Sequence, residues 1–136
     1  MWIFTILAAR DGHVEAALQL GLCLYSGVGE TVDWLDARHW LAKAAVRGSV
    51  VAMNALGSMH SQLASSSLTT RRLHNVSSCW WYLMASERND AHAKVMFDKM
   101  LRRLPYLQDA MKNLKRKCGT HHFSIATWNL RLINGE

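Results

Sequence analysis

The sequence predicts an all-α protein assembled from short helix-turn-helix repeats. A segment recurs at a fixed offset, apolar residues within each copy fall at helical spacing, and a single proline interrupts 136 residues. The recurrence is the strongest sign. Ala8, Ala9, Gly12, Val14, Ala16, Leu20 and Gly21 return 36 positions later as Ala44, Ala45, Gly48, Val50, Ala52, Leu56 and Gly57. These are seven identities in a fourteen-residue window, all small or apolar, which marks a repeated packing unit rather than chance.

A third, fainter copy pairs Trp40 with Trp81, Ala44 with Ala85, Arg47 with Arg88, Ala52 with Ala93 and Leu56 with Phe97, now 41 positions apart. The extra residues fall in the Ser/Thr/Arg stretch 65–75, which lacks a hydrophobic period and is expected to be an inserted loop. Each unit reads as two helices. Ala16, Leu20, Gly21 and Leu24 stripe the first, and Ala37, Trp40, Leu41 and Ala44 follow i, i+3, i+4, i+7 on the second. Gly27 and Gly29 stop the first helix, Asp33 is placed to cap the second, and Gly48 closes it. Phe4 lies 36 positions before Trp40, so Met1–Ala9 reads as the second helix of a half repeat and not as a targeting peptide. Trp40 and Trp81 are expected to fill the space between neighbouring helix pairs. Of the adjacent aromatics Trp80, Trp81 and Tyr82, Trp81 is therefore expected in the core, matching Trp40, with Trp80 or Tyr82 a candidate exposed contact.

These residues resemble the Sel-one-like repeat family, relatives of tetratricopeptide repeats. The resemblance rests on Ala8-Ala9, Gly12, Ala16, Leu20-Gly21, Gly27, Gly29, Asp33, Ala37, Trp40, Lys43-Ala44-Ala45 and Gly48. It covers roughly residues 1–104, with one nearly complete copy and degenerate neighbours. The family's tyrosine is Leu24 here with Tyr25 shifted by one, His60 stands there in the next copy, and Asp98 replaces a helix glycine. The resemblance implies a short right-handed α-solenoid: a half repeat 1–12, a repeat 13–48, a degenerate repeat 49–89 with the inserted loop, and a partial repeat 90–104. Residues 105–136 then form a basic C-terminal capping helix and tail. It also implies a non-catalytic scaffold or adaptor, of a kind common in bacterial proteins, that binds a partner in a concave groove lined by first-helix side chains. Carried across turn by turn, these are Glu15, Gln19, Leu22 and Tyr25; Val51, Ala55, Ser58 and Ser61; and His92, Met96, Lys99 and Arg102.

The formal charge of +6 is uneven. Residues 1–75 hold six Lys/Arg against five Asp/Glu, and residues 76–136 hold ten against five. The groove therefore grades from neutral to basic and favours a partner with an acidic segment. Lys112, Lys115, Arg116 and Lys117 cluster near the end of a helix that Pro105 starts and Gly119 stops. Tyr106, Leu107, Ala110, Met111 and Leu114 form its apolar face, while Thr120–Ile133 reads as a last helix. The basic cluster suits a solvated capping helix first and a nucleic-acid patch second, since Tyr106 alone supplies an aromatic within it.

Three dispersed cysteines, Cys23, Cys79 and Cys118, make a poor disulfide framework and read as idle thiols in a reducing compartment. With no long apolar run and no export signal, cytoplasmic residence is expected and membrane association is not. Cys118, His121 and His122 lack a matched fourth ligand, so no metal site is expected, and no cofactor. The seven histidines form no pattern. No phosphate-cradling glycine loop, nucleophile elbow or HExxH is present, so no catalytic residue is assigned. Another protein as partner is the leading expectation. The alternatives are a dedicated inhibitor or immunity protein that blocks one enzyme, and a nucleic-acid-associated protein.

Overall fold

In a computed structural model the chain is all-helical among its described residues, 2–26 and 34–118, the side chains of 2–5, 117 and 118 excepted. Seven helices follow one another: α1 (Trp2–Arg10), α2 (Val14–Ser26), α3 (Trp34–Val46), α4 (Val50–Ser66), α5 (Arg71–Ser86), α6 (Ala91–Arg103) and α7 (Tyr106–Cys118). None is long and apolar enough to cross a membrane. The expected stop at Gly27 and Gly29, the cap at Asp33, the stop at Gly119 and the helix over Thr120–Ile133 lie outside the described residues.

The turns joining α1 to α2, α3 to α4 and α5 to α6 share one construction. His13, Ser49 and Asp90 donate their backbone N–H to the carbonyls of Ala8, Ala44 and Ala85 (3.0, 3.1 and 3.3 Å). The preceding residues Gly12, Gly48 and Asn89 donate to Ala9, Ala45 and Ser86 (3.1, 2.9 and 3.0 Å). This double bond pattern requires a left-handed residue at the penultimate place, and Gly12, Gly48 and Asn89 supply it with φ of 90°, 100° and 65°. Asparagine is the natural substitute there, because its short polar side chain tolerates positive φ. The next residue then opens the following helix. His13 Nδ1, Ser49 Oγ and Asp90 Oδ2 accept the N–H of Ala16, Ala52 and Ala93 (3.2, 3.2 and 2.8 Å). The same turn thus recurs at offsets of 36 and 41 residues although four of its six key side chains differ in type.

The chain divides into two compact units within α4, between Leu56 and Gly57. In the first, α2 packs on α1 and on α3. Gly21 permits the α2–α3 crossing, since a Cβ there would come 2.7 Å from Leu41 Cγ and 3.1 Å from the Leu41 nitrogen. Leu41 is fully buried, whereas Trp40 is half-exposed with Lys43 Nζ 4.9 Å over its ring. The expected space-filling role of Trp40 therefore belongs to Leu41. Arg38 on the same helix is also buried, and lost hydration lowers its guanidinium pKa.

The second unit repeats the crossing with other side chains. A Cβ on Gly57 would sit 2.7 Å from Tyr82 Cζ, so the flat face of Tyr82 occupies the place that Leu41 takes against Gly21. Ser78 Oγ donates to the Gly57 carbonyl at 2.6 Å across the same contact. Helix α5 is surrounded, and every residue from Ser77 to Ala85 is buried. Trp80, Trp81 and Tyr82 are all in the core, which removes Trp80 and Tyr82 as exposed contacts. Leu107, Met111 and Leu114 turn the apolar face of α7 inward as the sequence predicts.

The stretch 65–75 is mostly helical and not an inserted loop: α4 continues through Ser66 and α5 starts at Arg71, leaving 67–70 irregular. Ser65 and Ser66 return their hydroxyls to the carbonyls of Ser61 and Leu63, and Arg71 Nε closes the Ala64 carbonyl at 3.0 Å. With the Leu63 and Ala64 carbonyls of its last turn satisfied and no Gly or Pro at its end to stop it, α4 runs four residues longer than α2 (17 against 13).

Two outcomes check this packing. Gly57→Ala gains about 1 kcal/mol of helix propensity but forces a methyl into Tyr82, at a cost of about 1–3 kcal/mol. Denaturant unfolding should show net destabilisation, and pairing it with Tyr82→Leu should give favourable coupling. A Gly57→Ala protein more stable than wild type would contradict the crossing. At the α5–α6 turn, Asn89→Gly should be neutral or stabilising, and Asn89→Ala should lose about 1 kcal/mol.

Candidate interaction cleft

Two recesses gather positive charge, one in each unit. The smaller, about 170 Å3, lies in the first unit among Arg10, Gly12, Val14, Lys43 and Arg47. Two of its three cations are already engaged, because Arg47 donates to the Gly12 carbonyl and Lys43 covers Trp40, while Arg10 is exposed. The larger, about 430 Å3, lies in the second unit. Ser61, Ala64 and Ser65 of α4 form one side, Arg71 and Asn75 of α5 the back, and Met96, Lys99, Met100 and Arg103 of α6 the other side. Leu104 completes the floor.

Helix geometry explains the grouping. Met96, Lys99, Met100 and Arg103 occupy i, i+3, i+4, i+7 on α6, so one stripe carries two thioethers and two cations. Met100 is buried, and Lys99 and Arg103 are exposed. On α5, Arg71 and Asn75 lie one turn apart. Arg71 is oriented through Nε on the Ala64 carbonyl, and Asn75 Nδ2 donates to the Tyr106 hydroxyl at 3.1 Å. Arg72 stacks on the same tyrosine, 4.5 Å from its centroid. No Asp or Glu lines the cleft, and among the described residues neither Lys99 nor Arg103 takes an ion pair.

The structure brings together part of the expected groove. Ser61 and Lys99 share the cleft with Met96, whereas Arg102 is exposed outside its lining. His92 is exposed with its ring edge-on to Tyr82 at 6.4 Å, and Ser58 is half-buried. In the first unit Glu15 and Gln19 are exposed and bonded to each other at 3.0 Å. Leu22 is half-buried, and Tyr25 packs on Trp34 at 5.5 Å. Of the C-terminal basic cluster, Lys112, Lys115 and Arg116 are exposed, Lys115 within 3.6 Å of Glu87 Oε1 and Arg116 3.5 Å from Asn113 Oδ1. The side chain of Lys117, with Cys118, His121 and His122, lies outside the described residues.

Arg71, Asn75, Arg103 and Leu104 were not candidates from sequence. Treating 65–75 as loop hid the helical spacing of Arg71 and Asn75, although the lack of Gly and Pro there was the available signal. The histidines also are not all separate. His60 and His74 are both buried, stacked at 5.4 Å with Nδ1 atoms 3.2 Å apart, so one nitrogen carries the hydrogen and the other accepts it. Among the described residues no group of three or more His, Cys, Asp or Glu could hold a metal ion.

Compared with known proteins, the chain matches no family model, no curated protein and no solved structure.

Thiol chemistry offers a check on the core beside this cleft. Cys79 is fully buried, and burial pushes its thiol up to about 12, so it stays neutral at ordinary pH. At pH 8 its thiolate fraction is on the order of 10⁻⁴. Alkylation mapped by mass spectrometry should label the half-buried Cys23 and spare Cys79 until urea is added. Rapid native labelling of Cys79 would contradict the packing of α5.

Proposed function

We propose that the chain is a non-catalytic helical-repeat scaffold or adaptor that holds a partner protein along its first-helix side chains. The observation supporting this most directly is the recurrence of one turn, cap included, at three places, with a glycine crossing recurring at two. Modules that repeat their turn and crossing are suited to stacking, because a short helix pair cannot bury its apolar side alone. On this reading the copies are Sel-one-like repeats forming a right-handed solenoid over residues 1–104, and residues 105–136 close its end. The partner presents an acidic segment, and the cleft of the second unit is part of its landing surface. The scaffold is bacterial and works in the cytoplasm, where scattered thiols stay reduced.

Affinity capture from the native cell, with the purified full chain as bait, tests the proposal. A partner protein should be retained near stoichiometrically and survive nuclease treatment. Glu15→Lys with Gln19→Lys, and separately Lys99→Glu with Arg102→Glu, should each lower retention about tenfold, equivalent to about 1.4 kcal/mol. Recovery of proteins that vanish on nuclease digestion would move the function to nucleic-acid association.

A further inference from the structure

We propose that the cleft formed by α4, α5 and α6 is the seat of a short acidic peptide segment. Carboxylates of the segment meet Arg71, Lys99 and Arg103, and an apolar side chain beside them rests on Met96, Met100 and Leu104. The inference rests on the scaffold reading and specifies the chemistry of the partner it would hold.

Charge selects an anion. Three full positive charges border the cleft and no carboxylate does. The C-terminal ends of α4 and α6 oppose this, each worth about half a negative charge. Part of that opposition is already met, since the Ala64 carbonyl accepts Arg71 Nε and the Met100 carbonyl accepts the Leu104 N–H at 2.9 Å. The cations win. Arg71 is also held in place, so its remaining N–H groups form a fixed donor edge suited to a carboxylate.

The floor and the size select a peptide over a lone ion or a nucleic acid. At about 430 Å3 the cleft falls in the range of ligand sites and exceeds what one phosphate or carboxylate fills. Its floor is thioether and aliphatic, surfaces that accommodate varied apolar side chains. No aromatic ring lines it to stack a base, which is the contact single-stranded nucleic acids use. Acid beside apolar residue is therefore the complementary pattern.

Fluorescence anisotropy with the full chain and a labelled twelve-residue peptide, (Glu-Asp-Leu)4, provides the test. Binding is expected in the micromolar range, weakened at least tenfold by Lys99→Glu with Arg103→Glu. Lys112→Glu with Arg116→Glu makes the same change in net charge outside the cleft and should alter affinity less than twofold. Thermal melts of these exposed-site variants confirm that each is folded. The peptide (Glu-Asp-Ser)4 should bind several-fold more weakly. Equal affinity for the serine peptide, equal loss from the control pair, or displacement by a single-stranded oligonucleotide that binds more tightly would each overturn the proposal. A captured partner whose retention ignores Lys99→Glu with Arg103→Glu sinks the peptide seat and leaves the scaffold standing. Peptide binding as described, with no partner captured, sinks the scaffold and leaves the seat.

Discussion

Backbone polar groups must be paired wherever the chain turns between two packed helices, and this demand shapes the rest of the protein. The turn solves it in six residues, as from Ala8 to His13. One residue returns its N–H to the helix just finished and then uses its side chain to accept an N–H of the helix about to start. His13, Ser49 and Asp90 all serve both ends. So short a connection fixes where the second helix leaves the first, which in turn sets which faces meet. A left-handed residue is the sole conformational requirement, and glycine or asparagine meets it.

Small residues then set the distance of approach. Gly21 and Gly57 let a side chain from the facing helix reach their backbone, Leu41 in one case and Tyr82 in the other. Exchanging an aliphatic side chain for a ring while keeping the glycine shows that the constraint is the missing Cβ and not the identity of what fills its place. In the second unit the larger ring accompanies a more enclosed helix. Ser77 to Ala85 are all buried, and polar side chains of the helix such as Ser78 and His74 pair within the core.

Burying α5 so completely drives charge to its ends and to the outer face of α6. Arg71 stands at the first residue of α5, and Lys99 and Arg103 lie on the stripe of α6 that also carries Met96 and Met100. The cleft is thus a by-product of packing that leaves apolar floor and cationic rim side by side. Its counterpart in the first unit has similar charge but uses Arg47 on a turn carbonyl and Lys43 on Trp40. Similar composition thus puts two cations to structural use in the first unit, whereas in the second Lys99 and Arg103 border an open cleft.

Much of the helical organisation was legible in the residues. The offsets of 36 and 41 locate the turns at Gly12, Gly48 and Asn89, and the apolar spacing of Tyr106–Leu114 finds the buried face of α7. These are local properties, set by periodicity and by the conformational tolerance of single residues. The sequence alone misjudged Trp40, Trp80 and Tyr82, because exposure depends on how many helices surround a position, which no periodicity records. It likewise missed the continuation of α4 and α5 through 65–75, where Arg71 supplies a capping bond from outside the helix it closes. Lys99 and Ser61 were identifiable as surface residues of their helices. That they meet Arg71 and Arg103 across one cleft was decided by the crossing at Gly57 and the length of α4, since charges far apart in the chain become a site through packing alone.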